Sequence, residues 1–347
     1  MNKTRHDDTY TDGFTAIPGR PANERVWLTW EHQRRNHTAS AALGARLHEL
    51  DYSNPAPIRY PRAIANTLRI LRRQRPRLIF AQNPSIVLAA LAVAYGKLSR
   101  TPVIVDAHNA GIRPFEGRKR WANRLTRHII RGATATIVSN PGLAAYVSRR
   151  GGRPLLLPDP LPPLQRPSRP CLMSGGFKVL FICTWAEDEP YFEVLAAAER
   201  LPPAVKIYIT GNSKGRERGY GAALPANVEL TGFVSEADFT GLLYGADLVM
   251  DLTTRADCLL CGAYEAVAAG KPLLLSNSLA LRSYFHSGAR YTDNSAADIA
   301  GQIEAAREEY ASLLAAVRGL RHELEQNWSE QRERILQQLA AIESAAR

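Results

Sequence analysis

From residue 25 onward, short apolar runs alternate with longer stretches in which apolar residues recur at helical spacing. VWLTW at 26–30 reads as a strand and 38–50 as a helix. A basic helix is expected over 64–75, ending before Pro76, followed by the strand LIFAQ at 78–82 and a helix across 86–98. VIVDAH at 103–108, a helix over 118–131 and ATIVS at 135–139 continue the series. Strands of four to six apolar residues separated by helices imply a parallel, doubly wound sheet buried on both faces.

The texture then changes. RPLLLPDPLPPLQRPSRP at 153–170 holds seven prolines in 18 residues and reads as a semi-rigid linker without regular structure. The alternation restarts with KVLFIC at 178–183 and a helix from Tyr191. VKIYITG at 205–211, VELTGF at 228–233 and a helix over 236–244 come next. DLVMDL at 247–252, a helix over 263–269 and PLLLSN at 272–277 complete the second series, with packing helices over 296–325 and 329–345. The expected division is a flexible tail (1–24), a first Rossmann-like domain (25–152), a linker (153–176), a second Rossmann-like domain (177–325) and a C-terminal helix (326–347). Two such sheets facing across a cleft would place ligands beyond the carboxyl ends of the strands.

Of the 347 residues, 44 are Lys or Arg and 33 Asp or Glu, a net charge of +11. The charge is unevenly placed: residues 1–170 hold 28 basic and 10 acidic side chains, the remainder 16 and 23. A first half this basic suits a polyanionic partner or a solvated basic surface. No leader-like segment opens the chain, and no apolar run is long enough to cross a bilayer, so a cytoplasmic or inner-face peripheral location is expected. Four cysteines (Cys171, Cys183, Cys258, Cys261) are few for this length, and Cys258-x-x-Cys261 lacks a second ligand pair at zinc-finger spacing.

The candidate chemistry concentrates at 247–277, DLVMDLTTRADCLLCGAYEAVAAGKPLLLSN. A buried strand ends in a loop, and a helix starts near Gly262 with Glu265 in its first turn. Such a carboxylate either complements the helix dipole or holds ribose hydroxyls beside N–H groups that face a phosphate. This block resembles the donor segment of the GT-B glycosyltransferases, above all the retaining family 4 enzymes with their E-x7-E motif. Its counterpart here is Asp257-x7-Glu265, followed by EAVAAGKPLLLS. By that resemblance Glu265 holds the donor ribose, Asp257 faces the transferred sugar, and the backbone at Cys261–Gly262 approaches the diphosphate. YITGN at 208–212, with Gly211, and the run 227–252 resemble the same family.

The loop CTWAEDEP at 183–190 departs from family 4, carrying three carboxylates where that family has basic residues. It is similar to the corresponding loop of the β-mannosyltransferases acting on chitobiosyl-diphosphodolichol, as are QNPS at 82–85 and VDAHN at 105–109. A departing diphosphate still needs positive charge. Lys214, Arg216, Arg218 and Arg255 are candidates, and 214–218 is otherwise a solvated loop. His108 matches a His that GT-B enzymes place near the transferred sugar. Asp106 is either its orienting or basic partner or a carboxylate capped by backbone. Arg34, Arg35 and His37 follow the first strand, where they either receive an acceptor phosphate or form a basic surface.

The resemblance implies a metal-independent transferase moving a hexose from a UDP- or GDP-sugar to a lipid-linked or polysaccharide acceptor, with retention. No cofactor beyond the nucleotide-sugar is expected. No D-x-D pair follows a strand to hold a metal, and no nucleic-acid motif accompanies the charge. The arginine-rich segments 62–77 and 118–131, with Trp121 and Leu125, resemble helices that dock on anionic lipid. A GT-B nucleotide-sugar epimerase and a non-catalytic subunit are the alternatives.

Overall fold

The computed structural model describes residues 24–52, 55–83, 85–107, 109–167, 173–221 and 223–346. Cys171, His108 and the expected tail up to residue 23 lie outside the described residues, as does the side chain of Arg34. The chain divides into two compact units. One holds the residues up to Val138 with Ala144–Leu157 and Arg332–Arg347, the other Ser139–Leu143 and Pro158–Gln331.

The first unit runs β1 (Arg25–Thr29), α1 (Arg34–Ala42), β2 (Arg46–Glu49), α2 (Ala56–Gln74), β3 (Leu78–Asn83), α3 (Ile86–Ser99) and β4 (Val103–Ala107). The single-turn α4 (Asn109–Ile112), α5 (Arg120–Gly132), β5 (Ala135–Val138), α6 (Pro141–Arg149) and β6 (Pro154–Leu156) follow. Its parallel sheet has the order β2-β1-β3-β4-β5-β6. The central strands are buried throughout, and Trp27 stacks on Phe80 with centroids 5.1 Å apart. Two expectations fail at the sheet edges. The helix expected over 38–50 stops at Ala42, and Arg46–Glu49 becomes β2, pairing Val26 with Arg46 and Thr29 with Glu49. The proline-rich stretch also supplies a strand, β6, where Pro154 is tolerated as the first residue of an edge.

The second unit runs β7 (Phe177–Phe181), α7 (Tyr191–Ala198), β8 (Val205–Thr210), β9 (Val228–Gly232), α8 (Glu236–Gly245), β10 (Leu248–Asp251) and α9 (Cys261–Ala269). Then come β11 (Leu273–Ser276), α10 (Leu279–Tyr284), β12 (Ala289–Thr292), α11 (Ala296–Glu308) and α12 (Tyr310–Ala345). The sheet is again parallel, ordered β12-β11-β10-β7-β8-β9. Ser235, Ser278 and Ser295 start α8, α10 and α11 by accepting the backbone N–H three residues on. The two expected terminal helices divide at Glu309 rather than near 326–328, so α12 is continuous for 36 residues.

The last part of α12 completes the first unit. Arg25, 2% exposed at the start of β1, donates to Glu343 at 2.6 and 2.9 Å and to the Leu43 carbonyl at 2.7 Å. Removing one partner of a buried pair leaves an uncompensated charge. Glu343→Ala is therefore expected to cost about 3 kcal/mol, read as a lower urea midpoint, because Arg25 stays buried without its carboxylate.

Candidate functional site

In each sheet the strand order reverses once, between β1 and β3 in the first unit and between β7 and β10 in the second. The loops leaving such a pair diverge, so polar groups collect beyond the carboxyl ends.

In the second unit those loops are 182–190 after β7 and 252–260 after β10. The acidic loop folds around its own carboxylates. Glu189 accepts the N–H groups of Thr184 (3.0 Å) and Ala186 (2.8 Å), the Thr184 hydroxyl (2.9 Å) and the Cys183 thiol (3.3 Å). Burial, then the Glu189 charge, pushes the Cys183 thiol up. Asp188 accepts from the Thr253 hydroxyl at 2.7 Å and stands 3.3 Å from the Arg255 guanidinium. Buried Trp185 adopts φ +61 and donates its indole N–H to the Thr210 carbonyl at 3.0 Å, while Arg216 donates to the Trp185 carbonyl. Gly211 is dictated by this packing: a Cβ there would lie 2.2 Å from the Cys183 carbonyl oxygen. Lys214 is exposed on the neighbouring loop, its N–H donated to Asn212 Oδ1 at 3.0 Å.

The residue missed in the sequence is Asp251. It closes β10, is 6% exposed, and accepts the N–H groups of Gly262 and Ala263 at the start of α9. Burial above all, then the charges of Glu189 and Glu265, holds its carboxyl well above the ordinary carboxylate range. Gly262 follows from this contact, since a Cβ there would lie 2.6 Å from Asp251 Oδ2 and 2.7 Å from Ile182 Cδ1. Glu265 is half-buried one turn into α9, and Cys261 opens the helix, its thiol pushed up to about 12 by burial first and then by the charge of Asp159. The loop before α9 is fixed at Asp257, whose carbonyl accepts from Asn140 Nδ2 at 3.1 Å. Ser276 and Asn294 brace Thr253 from behind, by Thr253 N–H to Ser276 Oγ at 2.9 Å and Asn294 Nδ2 to the Thr253 carbonyl at 3.1 Å. The second unit thus brings Asp257, Cys261, Gly262, Glu265 and Arg255 onto one loop and helix start, with Gly211 and Lys214 on the loop after β8.

In the first unit a buried network spans the ends of β1 and β3. The Thr29 hydroxyl donates to Gln82 Oε1 at 2.7 Å, Asn36 Nδ2 donates to Thr29 at 3.1 Å, and Gln82 Nε2 donates to Gln33 at 2.8 Å. Asp106, at the end of β4 and 1% exposed, receives both arms of Arg35 at 2.9 and 3.1 Å, and Arg35 also donates to the Leu157 carbonyl at 3.1 Å. Asp106 is thus a strand-end carboxylate paired with a guanidinium. Arg35 accordingly turns inward on Asp106. His37 lies on the outside of α1, its Nε2 3.1 Å from Glu49 Oε2. Cys258 and Cys261 belong to no grouping of three metal-ligating side chains among the described residues.

Residues 17–157 match the family described as Glycosyl transferase 4-like domain. No curated protein matches the chain by sequence. Among solved structures, Anabaena HepE in complex with UDP and glucose is similar at 14% identity and a TM-score of 0.69, over 88% of this chain and 89% of that one. Sucrose-phosphate synthase from Thermosynechococcus elongatus is similar at 16% identity and 0.66, over 96% and 88%. A trehalose 6-phosphate synthase from Burkholderia multivorans gives 17% and 0.60, over 88% and 80%. At these identities the likeness is one of fold, and the fold is GT-B.

The raised Asp251 carboxyl makes stability depend on pH. The unfolded chain ionises this group at its ordinary value while the folded chain keeps it protonated, so stability falls as pH rises from that value through the folded one. Thermal melts of Asp251→Asn and the parent should therefore differ most at neutral pH, in favour of the variant, and converge towards pH ~4.

Proposed function

Starting from a GT-B fold with a glycosyl transferase 4-like domain in its first half, we propose that the chain transfers a hexose from a UDP- or GDP-sugar to a lipid-linked or polysaccharide acceptor. The observation that carries this reading is the start of α9 at the β7/β10 switch point, where Glu265 stands one turn inside a helix whose approach is pinned by Asp251. Glu265 takes the ribose hydroxyls, and Asp257, on the loop before the helix, faces the sugar. Because Asp251 already accepts the Gly262 and Ala263 N–H groups, the charge on the leaving diphosphate rests chiefly on Arg255 and Lys214, with Arg216 and Arg218 beside them. No metal is needed on the diphosphate in this scheme. Retention follows the family 4 precedent, with the donor's own phosphate assisting front-face attack. HepE, crystallised with UDP and with UDP-glucose, favours uridine over guanosine as the base.

The first unit receives the acceptor, with His37 and Arg34, which follow β1 in the chain, as its contacts. A nucleotide-binding subunit without activity is the reading motivated by the acidic loop. Two of that loop's three carboxylates, Asp188 and Glu189, are engaged within the unit, so they do not confront the donor as free charges.

We also propose that α5 docks on anionic membrane. Phe115 and Trp121, 57% and 58% exposed with centroids 5.8 Å apart, stand among exposed Arg118, Lys119, Arg120, Arg124 and Arg127. No helix among the described residues is long and apolar enough to cross a membrane.

A thermal-shift panel of UDP-, GDP-, ADP- and dTDP-sugars tests the donor reading. One nucleotide should stabilise the protein, stabilisation by none would sink the enzyme reading, and turnover of donor alone would point to an epimerase. Glu265→Ala should weaken donor binding roughly 10- to 150-fold, the loss of hydrogen bonds to a charged group. Transfer should persist in EDTA. In vesicle flotation, binding should rise with phosphatidylserine content and fall with salt, and Trp121→Ala with Arg124→Glu and Arg127→Glu should abolish it.

A further inference from the structure

We propose that His32, His37 and Glu49 form a binding site for one divalent transition-metal ion of the zinc class. The three side chains come from different elements that the parallel pairing of β1 and β2 brings together. Glu49 is the last residue of β2, in register with Thr29 at the end of β1. His32 lies on the loop that leaves β1, and His37 is the fourth residue of α1, which that loop feeds.

One ligand atom from each lies within 4.8 Å of the other two. His32 Nδ1 is 2.6 Å from Glu49 Oε1, and His37 Nε2 is 3.1 Å from Glu49 Oε2. A tetrahedral ion with bonds of about 2.0–2.1 Å holds its ligands roughly 3.4 Å apart, so small rotations of two exposed rings suffice. The imidazoles are 69% and 54% exposed and their rings 5.4 Å apart, so they are free of the core and open to an incoming ion.

The carboxylate supplies an independent observation. Glu49 Oε1 has its hydrogen bond from His32, but Oε2 is buried with no hydrogen bond, although His37 stands 3.1 Å away. A buried acceptor left without a donor calls for a partner, a water or an ion, and a cation bound by both atoms to one side of the N–O line supplies it. Two imidazoles and one carboxylate suit zinc and its neighbours better than magnesium or calcium, and three protein ligands leave a fourth position for water or an anionic oxygen. The contrast is His286, whose Nε2 is 3.0 Å from Glu323 Oε1 on the surface, a pair that belongs to no such grouping of three among the described residues.

The site does not rest on the transferase reading, and the test uses no donor. Tag-free full-length protein is titrated with ZnCl2 by calorimetry, and Co2+ is followed by its visible d–d bands. One ion per chain is expected. His32→Ala, His37→Ala and Glu49→Gln should each weaken it roughly tenfold or more, while His286→Ala leaves it unchanged. Melting curves of His32→Ala, a change at an exposed ring, should match the parent without metal. Absence of saturable binding, binding indifferent to all three substitutions, or an equal loss in His286→Ala would each overturn the proposal.

Discussion

A carboxylate buried at the end of β10 organises the second unit. Asp251 cannot be ionised cheaply in that position, and it is accepted there because two backbone N–H groups from the start of α9 point at it. That single contact sets the rest. It brings α9 close enough that residue 262 has no room for a side chain, it fixes the phase of the helix, and it thereby decides where Glu265 stands. The negative neighbours Glu189 and Glu265 raise the cost of charge at this point and tie the loop after β7 to the same electrostatic balance.

The first unit solves the same topological problem chiefly with neutral amides and hydroxyls, Gln33 reaching on to the Glu31 carboxylate at 2.8 Å. Where its strand order reverses, Thr29, Asn36, Gln33 and Gln82 close a buried hydrogen-bonded network. Beside it, Arg35 and Asp106 neutralise each other in a two-armed pair. Connected buried networks of this kind restrict geometry more than they add stability. The ends of β1 and β3 are therefore a rigid floor, and adaptable side chains are found on the outside of α1.

Much of this architecture was readable from residue order, for a physical reason. Strands covered on both faces must be apolar throughout, so β1, β3, β4, β7, β8, β10 and β11 stand out as runs. The edges β2 and β6 do not, because RLHE carries polar residues on its open side and PLL begins with a proline. The miss at β2 had a consequence. A helix over 46–49 gives Glu49 no reason to meet His32 or His37, and the sequence groups His37 with Arg34 and Arg35 instead. Glu265 and Asp257 were accessible through a motif, whereas Asp251 looked like the ordinary end of an apolar run, its donors lying eleven and twelve residues further on. The acidity of 183–190 was visible in composition, but its inward orientation depends on backbone turns at Trp185 that no local spacing reveals.

The membership of residues 332–347 in the first unit bears on how the protein is made. A ribosome delivers β1 through β6 long before it delivers Glu343, so Arg25 emerges without the carboxylate that will neutralise it. The second unit's residues, by contrast, are nearly contiguous and all synthesised before that point. The half made first is thus the half completed last, and it must wait, unfinished and strongly basic, through the translation of more than a hundred further residues.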